Sequence, residues 1–87
     1  MFYVYVLIDQ EGELYFGSTN NLKRRFKEHN SEKVDSTKGR SWKLLYYEAY
    51  FSEQDARARE SKLKQFGQSV KHLKNRLKHS ITKISAG

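Results

Sequence analysis

The chain contains no cysteine and no proline in 87 residues, and only one methionine and one tryptophan. Without cysteine, neither disulfides nor thiolate metal ligands can hold the fold together. No apolar run approaches the roughly 20 residues of a membrane span, and the N-terminus reads as a strand instead of a signal peptide. A cytoplasmic protein with no membrane partner is expected. No repeat or low-complexity linker interrupts the chain, which has room for one small core and no second. The expected organisation is a single domain over residues 1–80, with a tail at 81–87 that frays. Acidic residues are few beside basic ones: ten Asp and Glu face seventeen Lys and Arg, a formal charge of +7. With six tyrosines and five phenylalanines, that excess suits a phosphate backbone. Anionic membrane fits less well, because the basic residues do not gather on one amphipathic helix.

The informative stretch runs from Phe2 to His29. Phe2 to Ile8 is aromatic and β-branched, hence a strand, and its lack of polar alternation suggests cover on both faces. Asp9 to Gly12 has the make-up of a hairpin loop, and Glu13 to Ser18 returns as a second strand. Tyr3, Tyr5 and Leu7 share one face, as do Tyr15 and Gly17 on the partner. A register setting Tyr5 near Gly17 brings two phenols together where the glycine leaves backbone bare. Thr19 or Asn20 can cap the helix that follows, whose stripe is Leu22, Phe26 and His29. Arg25 lies beside that stripe, while Lys23, Arg24 and Lys27 point more to solvent. On helix periodicity alone the ordinary reading is preferred: Arg25 snorkels and His29 is a hydrogen-bonded boundary residue.

Residues 30–40 read as a polar loop, either a plain connection or a basic rim for a phosphodiester backbone. Trp42 to Phe51 regains strand character, with Trp42, Leu44, Tyr46, Glu48 and Tyr50 on one face. Ser52 and Asp55 resemble a capping box opening a second helix with inward Ala56, Leu63 and Phe66, and Gly67 as its stop. Glu60 falls within that stripe. An inward carboxylate needs an arginine such as Arg25 or a divalent cation, and periodicity does not choose between them. A third helix, about 69–78, turns Val70, Leu73 and Leu77 inward. The fold class is α+β: a small antiparallel three-stranded sheet flanked by three helices, in the order β-β-α-β-α-α.

In order and spacing, Tyr3-Val4-Tyr5, Tyr15-Phe16-Gly17, Arg25, His29 and Glu60 resemble the GIY-YIG nuclease family, closest to its small single-domain bacterial members. Tyr3 and Val4 replace the Gly and Ile of the first triplet, and Phe16 the Ile of the second. Three inward polar residues beside two facing tyrosines would otherwise need three separate accidents, so the functional reading now prevails. The resemblance implies hydrolysis of phosphodiester bonds in nucleic acid, DNA before RNA, with one divalent metal, Mg or Mn, held by Glu60. Tyr5 or Tyr15 would accept a proton from the attacking water. A free phenol has a pKa of about 10, so cations nearby must help it. Arg25 would supply that field, and His29 would orient a tyrosine or relay a proton. Gly17, Lys23, Lys38 and Arg40 are the expected nucleic-acid contacts. The resemblance also implies an asparagine late in the domain; Asn75 stands at a suitable distance along the chain from Glu60 but off the apolar stripe of its helix. A non-catalytic basic nucleic-acid-binding module is the alternative. Targeting by a partner protein suits so small a chain, and its oligomeric state is not readable.

Under either reading, affinity for nucleic acid should fall steeply as salt rises, because phosphate contacts release counterions. Filter-binding or anisotropy titrations across a salt series check this, and a flat response would exclude nucleic acid as the ligand.

Overall fold

Three antiparallel strands lie in the order β2-β1-β3, with β1 at Phe2–Asp9, β2 at Leu14–Thr19 and β3 at Trp42–Tyr50. This is a computed structural model, and it describes residues 1–31 and 39–86. Four helices complete it: α1 at Leu22–Asn30, α2 at Glu53–Gln65, α3 at Gly67–Arg76 and α4 at Lys78–Ala86. The central strand β1 is covered on both sides, which explains its unbroken run of apolar residues. On one face Tyr5, Leu7 and Trp42 pack with Tyr15, Leu22, Phe26 and Leu44, under α1. On the other, Val4 and Val6 pack with Ala56 and Leu63 of α2 and Leu73 of α3. Burying side chains of this size contributes about 1.5–3 kcal/mol each, so the two-sided strand carries much of the core.

The sheet departs from strict alternation at one point. β3 pairs Tyr46 with Val6 and Leu44 with Leu7, so Leu45 is an extra residue. Such a bulge swaps faces for everything beyond it. Trp42 and Leu44 therefore face α1, whereas Tyr46 and Tyr50 pack on the opposite face. The single face expected for Trp42 through Tyr50 is thus two. Glu48, on the second face, accepts hydrogen bonds from Tyr46 Oη at 2.8 Å and from Tyr50, and holds Arg59 Nε at 3.1 Å. That network satisfies a largely buried acid without any outside ligand.

The helical layer also differs from expectation. Ser52 stands at the N-cap of α2 without a side-chain capping bond. Phe66 is more than half exposed, and Gly67 opens α3 instead of ending α2; its φ is not in the left-handed region, which Gly12 and Gly39 occupy. Residues expected as a helix end and a frayed tail form α4, making four helices where three were expected. The chain bends at Leu77, whose amide bonds back to Leu73 and Lys74, and resumes with Ile81 N to Leu77 O at 2.9 Å. Half-buried Ile81 and Ile84 give α4 an apolar stripe, and the helix packs against β3.

Side chains pin both ends of the 31–41 segment. Asn30 Oδ1 accepts from Trp42 N at 2.8 Å, and its Nδ2 donates to Trp42 O at 3.0 Å. Arg40 pairs with Asp9, whose side chain is fully buried and also accepts the amides of Glu11 and Glu13 at 2.9 and 2.8 Å. Burial alone would raise that carboxyl, but those amides and Arg40 hold it below its ordinary value. The Asn30 pairing generates a test. Asn30→Ala should cost about 1–3 kcal/mol, since Trp42 loses partners for both backbone groups. Urea unfolding measures this, and an unchanged midpoint would show that water replaces the amide fully.

Candidate active site at the edge of the sheet

The site grows from the pairing of Tyr5 with Gly17, the register expected from sequence. Any side chain at Gly17 would overlap the Tyr5 phenol, and a Cβ there would lie 3.0 Å even from ring carbon Cε1. The missing side chain lets the ring cross β2. Gly17 is itself buried by that ring, so it offers no bare backbone to a ligand, contrary to the expected nucleic-acid contact.

Helix α1 then closes over the phenol. Its cap is Asn21, one residue beyond the two expected, with Oδ1 accepting Arg24 N at 3.0 Å; Thr19 steadies the cap by accepting Asn21 N at 3.0 Å. The resulting phase turns His29 fully inward, and its Nε2 sits 2.7 Å from Tyr5 Oη. Tyr15 stacks edgewise on His29 with ring centroids 4.8 Å apart and lies 6.5 Å from Tyr5. Arg25 pairs with Glu28 at 3.2 Å and stands close enough to the Tyr5 hydroxyl to favour negative charge on it.

Burial dominates the protonation of this group. It pushes Tyr5 up to about 12 in spite of Arg25. Burial, and then the charge of Arg25, lower His29 from its ordinary value. At neutral pH the pair is therefore a protonated phenol against a neutral imidazole. One proton is shared between Tyr5 Oη and His29 Nε2. Tyr15 is different. Its hydroxyl has no hydrogen-bond partner among the described residues, and no buried polar side-chain atom there lacks one, so the hydroxyl meets solvent.

Glu60 comes from the other layer. It belongs to α2, and its Oε1 accepts from Ser18 Oγ at 2.6 Å on the face of β2 opposite Tyr15. Its Oε2 meets Lys64 Nζ at 2.9 Å, and that ammonium lies 6.0 Å from the Tyr15 ring centroid. The two layers thus meet round the free edge of β2. The arginine partner considered for Glu60 is replaced by Ser18 and Lys64. With its side chain 20% exposed, Glu60 is reachable from solvent and within electrostatic range of Tyr5. Among the described residues no group of three or more His, Cys, Asp and Glu could hold a metal. A lone carboxylate does fit a hard cation that keeps most of its water and takes phosphate oxygen.

A polar cleft of about 310 Å³ opens beside Ser18 and Arg25, with Arg24 and Arg57 on its walls. Of the expected nucleic-acid contacts, Lys23 is exposed and borders a groove with Tyr3, Phe26 and Tyr47. Arg40 is paired with Asp9 while its side chain stays 42% exposed, and Lys38 lies outside the described residues. Asn75 is exposed on α3. Sequence reasoning missed Ser18 and Lys64. The i,i+4 spacing of Glu60 and Lys64 was a readable signal for the second, whereas Ser18 required the sheet register.

The site yields a titration test. His29 should titrate below the ordinary 6.5, and Arg25→Met should move it upward. In the interval between the folded and unfolded values the unfolded chain binds more protons, so this histidine's contribution to stability is lost as pH falls through it. NMR titration of the His29 ring protons checks both; an unmoved value in the variant would place Arg25 out of electrostatic contact.

No helix of the described residues is long and apolar enough to cross a membrane. Residues 1–74 match the family model described as the GIY-YIG catalytic domain. The chain is 38% identical over 73 residues to a UPF0213 protein of Clostridium perfringens, covering 82% of this chain and 78% of that one. It is 45% identical over 65 residues to a UPF0213 protein of Streptococcus agalactiae, covering 72% and 74%. The solution NMR structure of a UPF0213 protein from Bacillus halodurans superposes with a TM-score of 0.57, at 32% identity and 94% coverage of both chains. Fold, motif order and these likenesses agree, and the chain belongs to the GIY-YIG family.

Proposed function

We propose that this protein is a metal-dependent endonuclease that hydrolyses phosphodiester bonds of nucleic acid, DNA in preference to RNA. The observation that carries the reading is the meeting of Tyr5, Tyr15, Arg25, His29 and Glu60 round the edge of β2. Membership of a family named for its catalytic domain supports it. A Mg²⁺ or Mn²⁺ ion on Glu60 would neutralise charge on the scissile phosphate.

The protein's own groups have separable tasks. Tyr15, whose oxygen meets solvent, acts as its phenolate and takes the proton of the attacking water; the water oxygen bonds to phosphorus as the bond to the leaving oxygen breaks, and that oxygen takes a proton from solvent. Lys64 beside the ring supplies a positive field there. Tyr5 is too buried to meet a water, and at about 12 it holds its proton. It instead anchors His29, whose ring backs that of Tyr15. Arg25 lines the polar cleft and stabilises charge on the phosphoryl oxygens. Lys23 and the Tyr3–Tyr47 groove guide the flanking strand.

Supercoiled plasmid with Mn²⁺ or Mg²⁺ tests this. Wild type should nick it, Glu60→Gln and Arg25→Ala should not, and Tyr15→Phe should be slower by about 10²–10⁴-fold with binding and fold retained. Binding without cleavage under either metal would reassign the protein as a nucleic-acid-binding module on this fold.

A further inference from the structure

Lys64 takes no part in the family motif, yet its placement bears on how Glu60 acquires a metal. Both carboxylate oxygens of Glu60 are engaged, Oε1 by the Ser18 hydroxyl and Oε2 by the Lys64 ammonium. The lysine follows the glutamate by one helical turn, the order that favours such a pair. Its ammonium also faces Tyr15, so one cation bridges the acid of α2 and the phenol of β2. A divalent ion approaching Oε2 meets a positive charge already in contact with it. Two such charges a few ångströms apart repel strongly, so the ion and the ammonium cannot share that oxygen. Release of the lysine is easy: its side chain is 49% exposed, and a surface pair of this kind is weak. A long flexible stem lets the ammonium move without disturbing the helix.

We propose that Lys64 is the resting counter-ion of Glu60, that the divalent cation takes its place, and that the freed ammonium turns along Tyr15 toward a substrate phosphate. The inference rests on the nuclease reading of the same site. Lys64 is a positioning residue: it keeps the carboxylate in place while the site is idle and sets the metal concentration at which the exchange occurs. It also joins metal binding to substrate binding, since the displaced charge is offered to an anion.

The test is calorimetric titration of Mn²⁺ into the full chain without nucleic acid, using wild type, Lys64→Met and Glu60→Gln. Circular dichroism confirms folding, and methionine keeps the stem and the helix propensity. Lys64→Met should bind Mn²⁺ about tenfold more tightly than wild type, the effect of removing one nearby charge in partly screened solvent. Glu60→Gln should lose the binding. Equal or weaker binding by Lys64→Met, with Glu60→Gln inactive in binding, overturns the exchange and leaves the nuclease reading standing. Binding that survives in Glu60→Gln, or is absent from all three proteins, overturns that reading and the exchange with it.

Discussion

A missing side chain at Gly17 permits the Tyr5 ring to lie across β2, and the geometry of the site follows from that close approach. Once the phenol is laid there, its hydroxyl is fixed, His29 has a partner at hydrogen-bond distance, and the phase of α1 is set. The cost is a hydroxyl in a dry interior. It is met by the imidazole, and by an arginine held in turn by Glu28. A hydrophobic residue at position 5 would fill the same volume but remove the hydroxyl that meets His29 Nε2.

The order of the strands matters as much. Because β2 is at the edge, residues from the layers above and below it reach round its outer side and meet. Ser18 points toward α2 and Tyr15 toward α1, yet Lys64 holds Glu60, the partner of Ser18, and lies 6.0 Å from the Tyr15 ring centroid. In the central position β2 would be flanked by another strand, and the acid and the phenols would belong to separate surfaces. The edge also leaves the site open to a long polymer, which an enclosed pocket would not admit.

Much of this was legible in the sequence because its causes are local. Alternation and composition locate the strands, and the Tyr5–Gly17 register follows from the hairpin loop between them. Helical spacing places His29 and Glu60 on inward-facing stripes and Arg25 beside the first of them. The misses have non-local causes. The bulge at Leu45 is a property of strand pairing and has no mark of its own in an aromatic-rich run. The pairing of Arg40 with the buried Asp9 joins residues far apart in the chain. The partners of Glu60 depended on which side of the sheet α2 covers, which periodicity does not state. Helix α4 was taken for a loose end because the burial of Ile81 and Ile84 depends on packing against β3, which helical spacing does not state.

The clamp of Asn30 on Trp42 has a further consequence for how such a chain can change. The two ends of the intervening stretch are joined by side chains of the folded body, so the site does not rely on that stretch to keep α1 and β3 in register. Lengthening a closed loop costs only about 0.6 kcal/mol per doubling. Extra elements can therefore be spliced in at this point while the edge of β2 keeps its shape.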